Sequence, residues 1–364
     1  MKLNINHQSP DYNSFRMARL KSLFNCEDGN HFKLSVDLPV EGMDWKLGLI
    51  VGPSGSGKTS LGQSIFSDAS YFKGFDWPDD QPIIDAISPH KEMEHITGAL
   101  SAVGLGSVPA WTRPYKALSN GEKFRADLAR ILCETPETIV IDEFTSVVDR
   151  QIAKIGAGAF AKAWRRQASG QAVLLSCHYD IIEWLQPDWI LDTATGKFSG
   201  RCLRQRPKID LDIYETNWRY WPHFETHHYL KLPHMIAATC YVAFVGDEPV
   251  AHLAVSTRPG LVEAHACRMV VMPEWQGAGV GMRFLNAVCA AWRRGQNRYN
   301  KPMATLFHTS HPALAEALRR SPLWAQVSCN LTGGKASRNV AAKGRYGGHF
   351  RAVQGFRYVE GMPS

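Results

Sequence analysis

The chain predicts two domains of different class: an α/β domain built on buried parallel strands, then an α+β domain built on hairpins. Three observations carry this. Residues 46–66, "KLGLIVGPSGSGKTSLGQSIF", read as buried strand, glycine loop and helix. Residues 239–272 read as a hairpin and a longer strand, with no helix between them. Charge also divides. Residues 1–200 hold 20 Lys+Arg against 24 Asp+Glu, a net of −4, and the remaining 21 against 10 give residues 201–364 a net of +11.

Composition sets the outer limits. With 364 residues, 45% hydrophobic and 21% charged, the chain has the make-up of a globular protein with room for two cores. No apolar run approaches the roughly 18–20 residues that cross a bilayer. The N-terminal "MKLNINHQSPDYNSF" lacks an apolar core and a small-residue cleavage site. The eight cysteines form no Cys-x-x-Cys pair, so reduced thiols in a cytoplasm are expected rather than disulfides or zinc. The basic second half favours anionic ligands or is a solvated surface.

Leu47 to Val51 feeds Gly52, Pro53, Ser54, Gly55, Ser56, Gly57, Lys58 and Thr59, a full G-x-x-x-x-G-K-[ST] phosphate loop, with Ser60 opening the helix after it. Glycines let backbone N–H groups curl around phosphates at a helix N-terminus, where the dipole favours anions. Lys58 reaches the β/γ-phosphates and the Thr59 hydroxyl is a Mg²⁺ ligand. A second apolar run, Thr138 to Ile141, ends in Asp142 and Glu143. Asp142 is expected to hold Mg²⁺, and Glu143 to polarise the attacking water.

Between these lies "ALSNGEKFRADLARIL", residues 117–132. Ser119 and Glu122 fit a capping box, and Phe124, Leu128, Ile131 and Leu132 lie on one helix face. Read alone, this is a capped helix. In the order phosphate loop, Leu-Ser-x-Gly-Glu, Asp-Glu, it resembles the signature motif of the ABC ATPase family. Ser146 to Asp149 resembles the D-loop of that family, His178 its switch histidine and Gln81 its Q-loop glutamine. The resemblance covers residues 20–200 and implies an ABC-type P-loop NTPase that hydrolyses ATP with Mg²⁺. It also implies a head-to-tail dimer in which the phosphate loop of one copy meets Ser119 and Gly121 of the other, with Asp149 nearby. Phe24 and Phe32 are candidates for an adenine-stacking aromatic. Asn120 replaces the usual second glycine, and the stretch from Gln81 to Leu118 is short for a transporter's helical subdomain.

The basic, turn-rich "SGRCLRQRPKID" marks a boundary near residue 200, giving domains 1–200 and 201–364. His223 and His227, four apart in the aromatic stretch 217–230, are either a metal pair or an ordinary helix face. Strands are expected over Thr239–Val245, Val250–Ser256 and Val262–Met272. The loop Gln276, Gly277, Ala278, Gly279, Val280, Gly281 then opens a helix striped by Met282, Leu285, Val288 and Cys289. This order resembles motif A of the GNAT N-acyltransferase family. The resemblance implies an α+β GNAT-like domain that binds acetyl-CoA or another acyl-CoA. Its pyrophosphate would sit on Gly277 to Gly281 and its pantetheine on the Val270 and Val271 edge. Further elements are expected over Met303–His308, Pro312–Arg320, Trp324–Cys329 and Phe350–Val359. Glu263 and His265 share a strand face as candidate acyl-transfer groups. His308, Ser310 and His311 stand where the family has a tyrosine.

The C-terminal Lys335, Arg338, Lys343, Arg345, Arg351 and Arg357 read as phosphate-tracking arms or as glycine-rich surface loops. The expected function is a cytoplasmic ABC-type ATPase coupled to an acyl-CoA-dependent transferase, acting on DNA, RNA or a nucleic-acid-associated protein. Two alternatives stand beside it: the energy subunit of a transporter with a regulatory C-terminal domain, and an ATPase whose GNAT fold only binds.

Overall fold

The structure is a computed structural model that describes residues 2–8, 14–24, 31–67, 69–134, 138–167, 169–200, 206–228, 235, 237–257, 260, 263–332 and 351–359. Two compact units form. The first comprises Met1–Asp76, Glu134–Val148 and Ala161–Arg206, and the second Trp77–Cys133, Asp149–Phe160 and Pro207–Ser364. The GNAT-like C-terminal region thus shares a unit with the segment that carries the Leu-Ser-x-Gly-Glu motif.

The first unit is built on a six-stranded sheet, ordered Ser70–Phe72, Ile139–Ile141, Ala172–Ser176, Leu47–Val51, Trp189–Asp192, Lys197–Ser199. All neighbours are parallel except the last pair. The three central apolar runs are wholly buried, as strands covered on both faces require. Asp188 fastens one end by accepting the Lys46 and Leu47 N–H groups at 2.8 and 2.9 Å. Trp189 packs edge-on to Trp45 and stacked on Phe66. Separately, Lys2–Gln8 pairs antiparallel with His31–Asp37.

The second unit holds a seven-stranded sheet, ordered Trp324–Thr332, Arg351–Tyr358, Ala304–Thr309, Glu263–Val271, Glu248–Thr257, Thr239–Val245, Asp212–Thr216. Only Glu263–Val271 and Ala304–Thr309 run parallel, with the helix Val280–Arg293 as their crossover. That helix buries Val280, Phe284, Leu285, Val288, Cys289 and Trp292 on one face. Trp292 Nε1 donates to the Tyr241 hydroxyl at 2.8 Å, which satisfies a polar atom that burial would otherwise strand. Pro312 opens the helix Pro312–Arg320 behind the cap His311, and this helix packs against Met93–Ala102.

The expected hairpin is present with Gly246–Asp247 as its turn, and its return strand begins at Glu248 rather than Val250. One expectation is corrected. His223 lies in a four-residue α-helix, Trp221–Phe224, and His227 falls in the separate 3₁₀ turn Glu225–His227, so the pair does not share one α-helical face. Among the described residues no group of three or more His, Cys, Asp or Glu side chains is placed to hold a metal. Lys335, Arg338, Lys343 and Arg345 lie outside the described residues, as do the side chains of Phe24, Phe32 and Arg351.

Candidate functional site

In the first unit the phosphate loop leaves Leu47–Val51 and turns into the helix Lys58–Ile65. Gly57 caps that helix at φ 78°, a left-handed conformation that a side chain would strain. Ser56 Oγ and Thr193 Oγ1 lie 2.6 Å apart, and Thr193 N–H donates to the Val51 carbonyl at 2.8 Å, which ties the loop to the neighbouring strand. Lys58 Nζ donates to the Gly52 and Pro53 carbonyls at 2.8 and 2.7 Å, so the ammonium stands inside the curl of the loop. Burial lowers its pKa, and Cys177, Asp142 and Glu143 act in the opposite direction.

Asp142 faces this loop. Its carboxylate accepts from Thr59 Oγ1 at 3.0 Å and from the Tyr71 hydroxyl at 3.0 Å. Burial first, then the Asp142 charge, raises the Tyr71 pKa, so Tyr71 stays a donor. Thr59 and Asp142 thus offer two hard oxygen donors side by side, the set that suits Mg²⁺. Glu143 follows at φ 50°, and its N–H donates to Asp142 Oδ1 at 2.9 Å. Thr145 Oγ1 lies 3.1 Å from His178 Nδ1, and His178 N–H donates to Ser176 Oγ at 3.1 Å. The sequence gives no local signal for Tyr71, Thr145 or Thr193, because their partners Asp142, His178 and Ser56 lie 71, 33 and 137 positions away.

Gln81, Ser119, Gly121 and Asp149 belong to the second unit. The capping box is present. Ser119 Oγ accepts from Glu122 N–H at 3.3 Å, and Glu122 Oε2 accepts from Ser119 N–H at 2.8 Å. Arg113 holds the other Glu122 oxygen at 2.7 Å. Asp149 Oδ1 accepts from Gln151 N–H at 2.8 Å at the start of the helix Arg150–Gln167. Gln81 is exposed, next to Pro82, which bridges to Pro114.

The glycine loop of the second unit has two sides. Gly277 and Gly279 are exposed, and a side chain at Gly279 would meet open space. On the other side the loop rests on the segment before the signature helix. Arg125 Nη1 donates to the Gln276 carbonyl at 2.8 Å and to the Gly104 carbonyl, and Arg125 Nη2 donates to the Glu274 carbonyl at 3.4 Å. The Gln276 side chain accepts from Gly106 N–H at 2.9 Å and donates to the Val271 carbonyl at 3.0 Å. His311 Nε2 lies 3.0 Å from the Gly106 carbonyl, while its Nδ1 accepts from Leu314 N–H. Those two roles fit a neutral ring with its proton on Nε2, and burial lowers the His311 pKa accordingly. Gly104 sits at φ 86° against Arg125 and the Gln276 carbonyl, a position only glycine fills without strain.

The parallel register between the central strands runs from Glu263↔Ala304 to Ala266↔Phe307, after which Ala304–Thr309 continues its pairing with Arg351–Tyr358. Arg268 takes φ 53° close to an irregularity in the register with Glu248–Thr257. Val270 and Val271 lie beyond these points, and the Val271 carbonyl is engaged by Gln276. At the start of the strands Glu263 lies 3.9 Å from His265 Nε2 and 3.7 Å from Arg357, and His265 stacks on His308 at 5.4 Å. Ser310 has no side-chain hydrogen bond among the described residues.

Comparison with known proteins agrees with this anatomy. The cytochrome c biogenesis ATP-binding export protein CcmA of Rhodospirillum rubrum is 31% identical over 172 residues, spanning 36% of this chain and 68% of that protein. The chain belongs to the ABC family of ATP-binding cassettes. The hemin import ATP-binding protein HmuV of Streptomyces coelicolor is 22% identical over 229 residues, 51% of this chain and 79% of that protein. The acetyltransferase (GNAT) domain family matches residues 237–318. The ABC protein is therefore an ATPase cassette joined to a GNAT module. Among solved structures, the dimeric cassette MJ0796 bound to ADP and Pi is similar with a TM-score of 0.37 and 13% identity, over 48% of this chain and 94% of that one. No helix of the described residues is long and apolar enough to cross a membrane.

Proposed function

We propose that two copies of the chain close head to tail on two ATP molecules and that this closure governs acyl transfer by the GNAT module. The reading rests first on the phosphate loop. The loop from Ser54 to Ser60 offers backbone N–H groups, and Lys58 its ammonium, to the phosphates. Thr59 and Asp142 hold Mg²⁺, which neutralises the developing phosphate charge. Glu143 orients the attacking water, His178, Gln81 and Asp149 take the roles their family motifs imply, and Ser119 and Gly121 of the partner copy meet the phosphate loop.

In the GNAT module Gly277 and Gly279 are exposed where the helix Val280–Arg293 opens, a setting that suits a pyrophosphate. Acyl-CoA supplies an activated thioester carbonyl. The acceptor attacks that carbonyl as Glu263 or His265 takes its proton, the C–S bond breaks, and the same proton passes to the departing CoA thiolate. His308 stacks on the His265 ring. The net charge of +11 in residues 201–364 favours an anionic acceptor, and nucleic acid or a nucleic-acid-associated protein fits it best.

The relatives named for export and import favour a second reading, service to a transport partner. Against it, the stretch from Gln81 to Leu118 is short for a transporter's helical subdomain, and its helix Met93–Ala102 packs against Pro312–Arg320 of the same chain. The test measures ATP hydrolysis by the full chain with acetyl-CoA, RNA and DNA added singly and together. The proposal expects stimulation by a nucleic acid and acetyl-CoA consumption that needs ATP. Hydrolysis indifferent to every nucleic acid removes the acceptor class, and acetyl-CoA left intact under all conditions removes acyl transfer.

A further inference from the structure

Arg125 lies six residues after Ser119 on the signature helix, yet its side chain serves the glycine loop. It is 3% exposed, and its guanidinium is spent on three backbone carbonyls, those of Gly104, Glu274 and Gln276. Two of these belong to the turn that leads into the glycine loop. A trans peptide points its carbonyl and its N–H in opposite directions, and no cis peptide is present among the described residues. Fixing the Gln276 carbonyl on Arg125 therefore aims the Gly277 N–H away from the guanidinium, toward the loop's exposed side. Gly106 and His311 hold the same loop from the next turn of chain, through the Gln276 amide and the Gly106 carbonyl.

A guanidinium with this many bonds is costly to move, because Arg125 is itself buried and would leave its own donors unpaired along with the buried Gly104 carbonyl. A shift of the signature helix must then carry the loop with it or break the set. Ser119, whose hydroxyl and N–H form the capping box, begins the same helix.

We infer that Arg125 is a positioning residue for the acyl-CoA loop, and that through it ATP held at the signature motif and CoA held at Gly277–Gly281 change each other's affinity. This rests on the proposed reading of both sites. Coupling between sites is reciprocal, so the factor by which ATP alters CoA binding equals the factor by which CoA alters ATP binding. A role in stability alone does not move that ratio.

The experiment titrates CoA into the full chain by calorimetry, without nucleotide and with saturating Mg²⁺ and a non-hydrolysable ATP analogue, and then titrates the analogue with and without CoA. The expected result is a CoA Kd that differs by about fivefold or more between the two states, matched by the reverse titration. Arg125→Lys keeps the buried charge and loses the fork, and should bring the ratio to within about twofold while analogue binding alone is unchanged. Gly106→Ala places a methyl 3.1 Å from Gln276 Oε1, loosens the separate bond by which the Gln276 side chain holds the loop to Gly106 N–H, and should also lower the ratio. If Arg125→Lys does not fold, Gly106→Ala decides. Equal CoA affinities in the wild type overturn the coupling and leave acyl-CoA binding standing. An undiminished ratio in the variants overturns the part given to Arg125. No CoA binding to a wild type that binds the analogue overturns the acyl-CoA reading and the inference with it.

Discussion

Thr59 Oγ1 donates to Asp142 Oδ2 at 3.0 Å, joining the end of the phosphate loop to the end of the apolar strand Ile139–Ile141. The same carboxylate oxygen accepts the Tyr71 hydroxyl at 3.0 Å. Tyr71 is therefore an outer partner that orients the carboxylate proposed to hold Mg²⁺.

Tyr71→Phe removes that partner and leaves the Thr59 and Asp142 oxygens in place. Outer partners of this kind are worth about 10–100-fold in metal affinity. The Mg²⁺ concentration for half-maximal ATP hydrolysis should rise by about tenfold, with a smaller change in the rate at saturating Mg²⁺. A Mg²⁺ titration of the variant checks this.

Gly279 stands at φ 78° with open space where a side chain would point. Gly279→Val meets no clash but strains the backbone by about 1–2 kcal/mol, and the loop should relax away from its N–H-outward shape. CoA affinity, read by calorimetry, should fall about tenfold or more.

His252 is fully buried among Trp218, Trp221 and Phe224. Burial pushes its pKa down to about 4, with the Arg268 backbone acting the other way and His228 adding to the fall. Because the folded state takes up the proton less readily than the unfolded chain, this contribution is complete above the unfolded value near 6.5. It is lost progressively as pH falls toward 4. The loss reaches at most about 3 kcal/mol. Denaturation across pH 4–7 should show stability falling with pH in this interval, and His252→Leu should flatten that part of the curve.

The parts of the fold visible in the sequence are those whose signal is local. The phosphate loop is legible because glycines, Lys58 and Thr59 all lie within one turn of chain. The helix Pro312–Arg320 matches its expected bounds because Pro312 and an amphipathic stripe mark it. Arg125 gives no such signal. Its partner Gln276 lies 151 positions away, and a charged residue in a helix reads as solvated until the carbonyls around it are known. His223 and His227 fail for a related reason. A spacing of four implies a shared face only if one α-helix continues through both, and here the α-helix ends at Phe224. The sharing of one unit by Trp77–Cys133 and the GNAT module likewise depends on long-range packing that no stretch of sequence records.

The most direct test of the account is the size of Glu143→Gln in ATP and Mg²⁺. The substitution keeps the φ 50° backbone tractable and removes the carboxylate that would orient the attacking water, so bound ATP persists. Size-exclusion chromatography with light scattering should then give a dimer with ATP and a monomer without it. A Glu143→Gln protein that binds ATP and stays monomeric at saturating nucleotide contradicts the head-to-tail closure on which the proposed function stands.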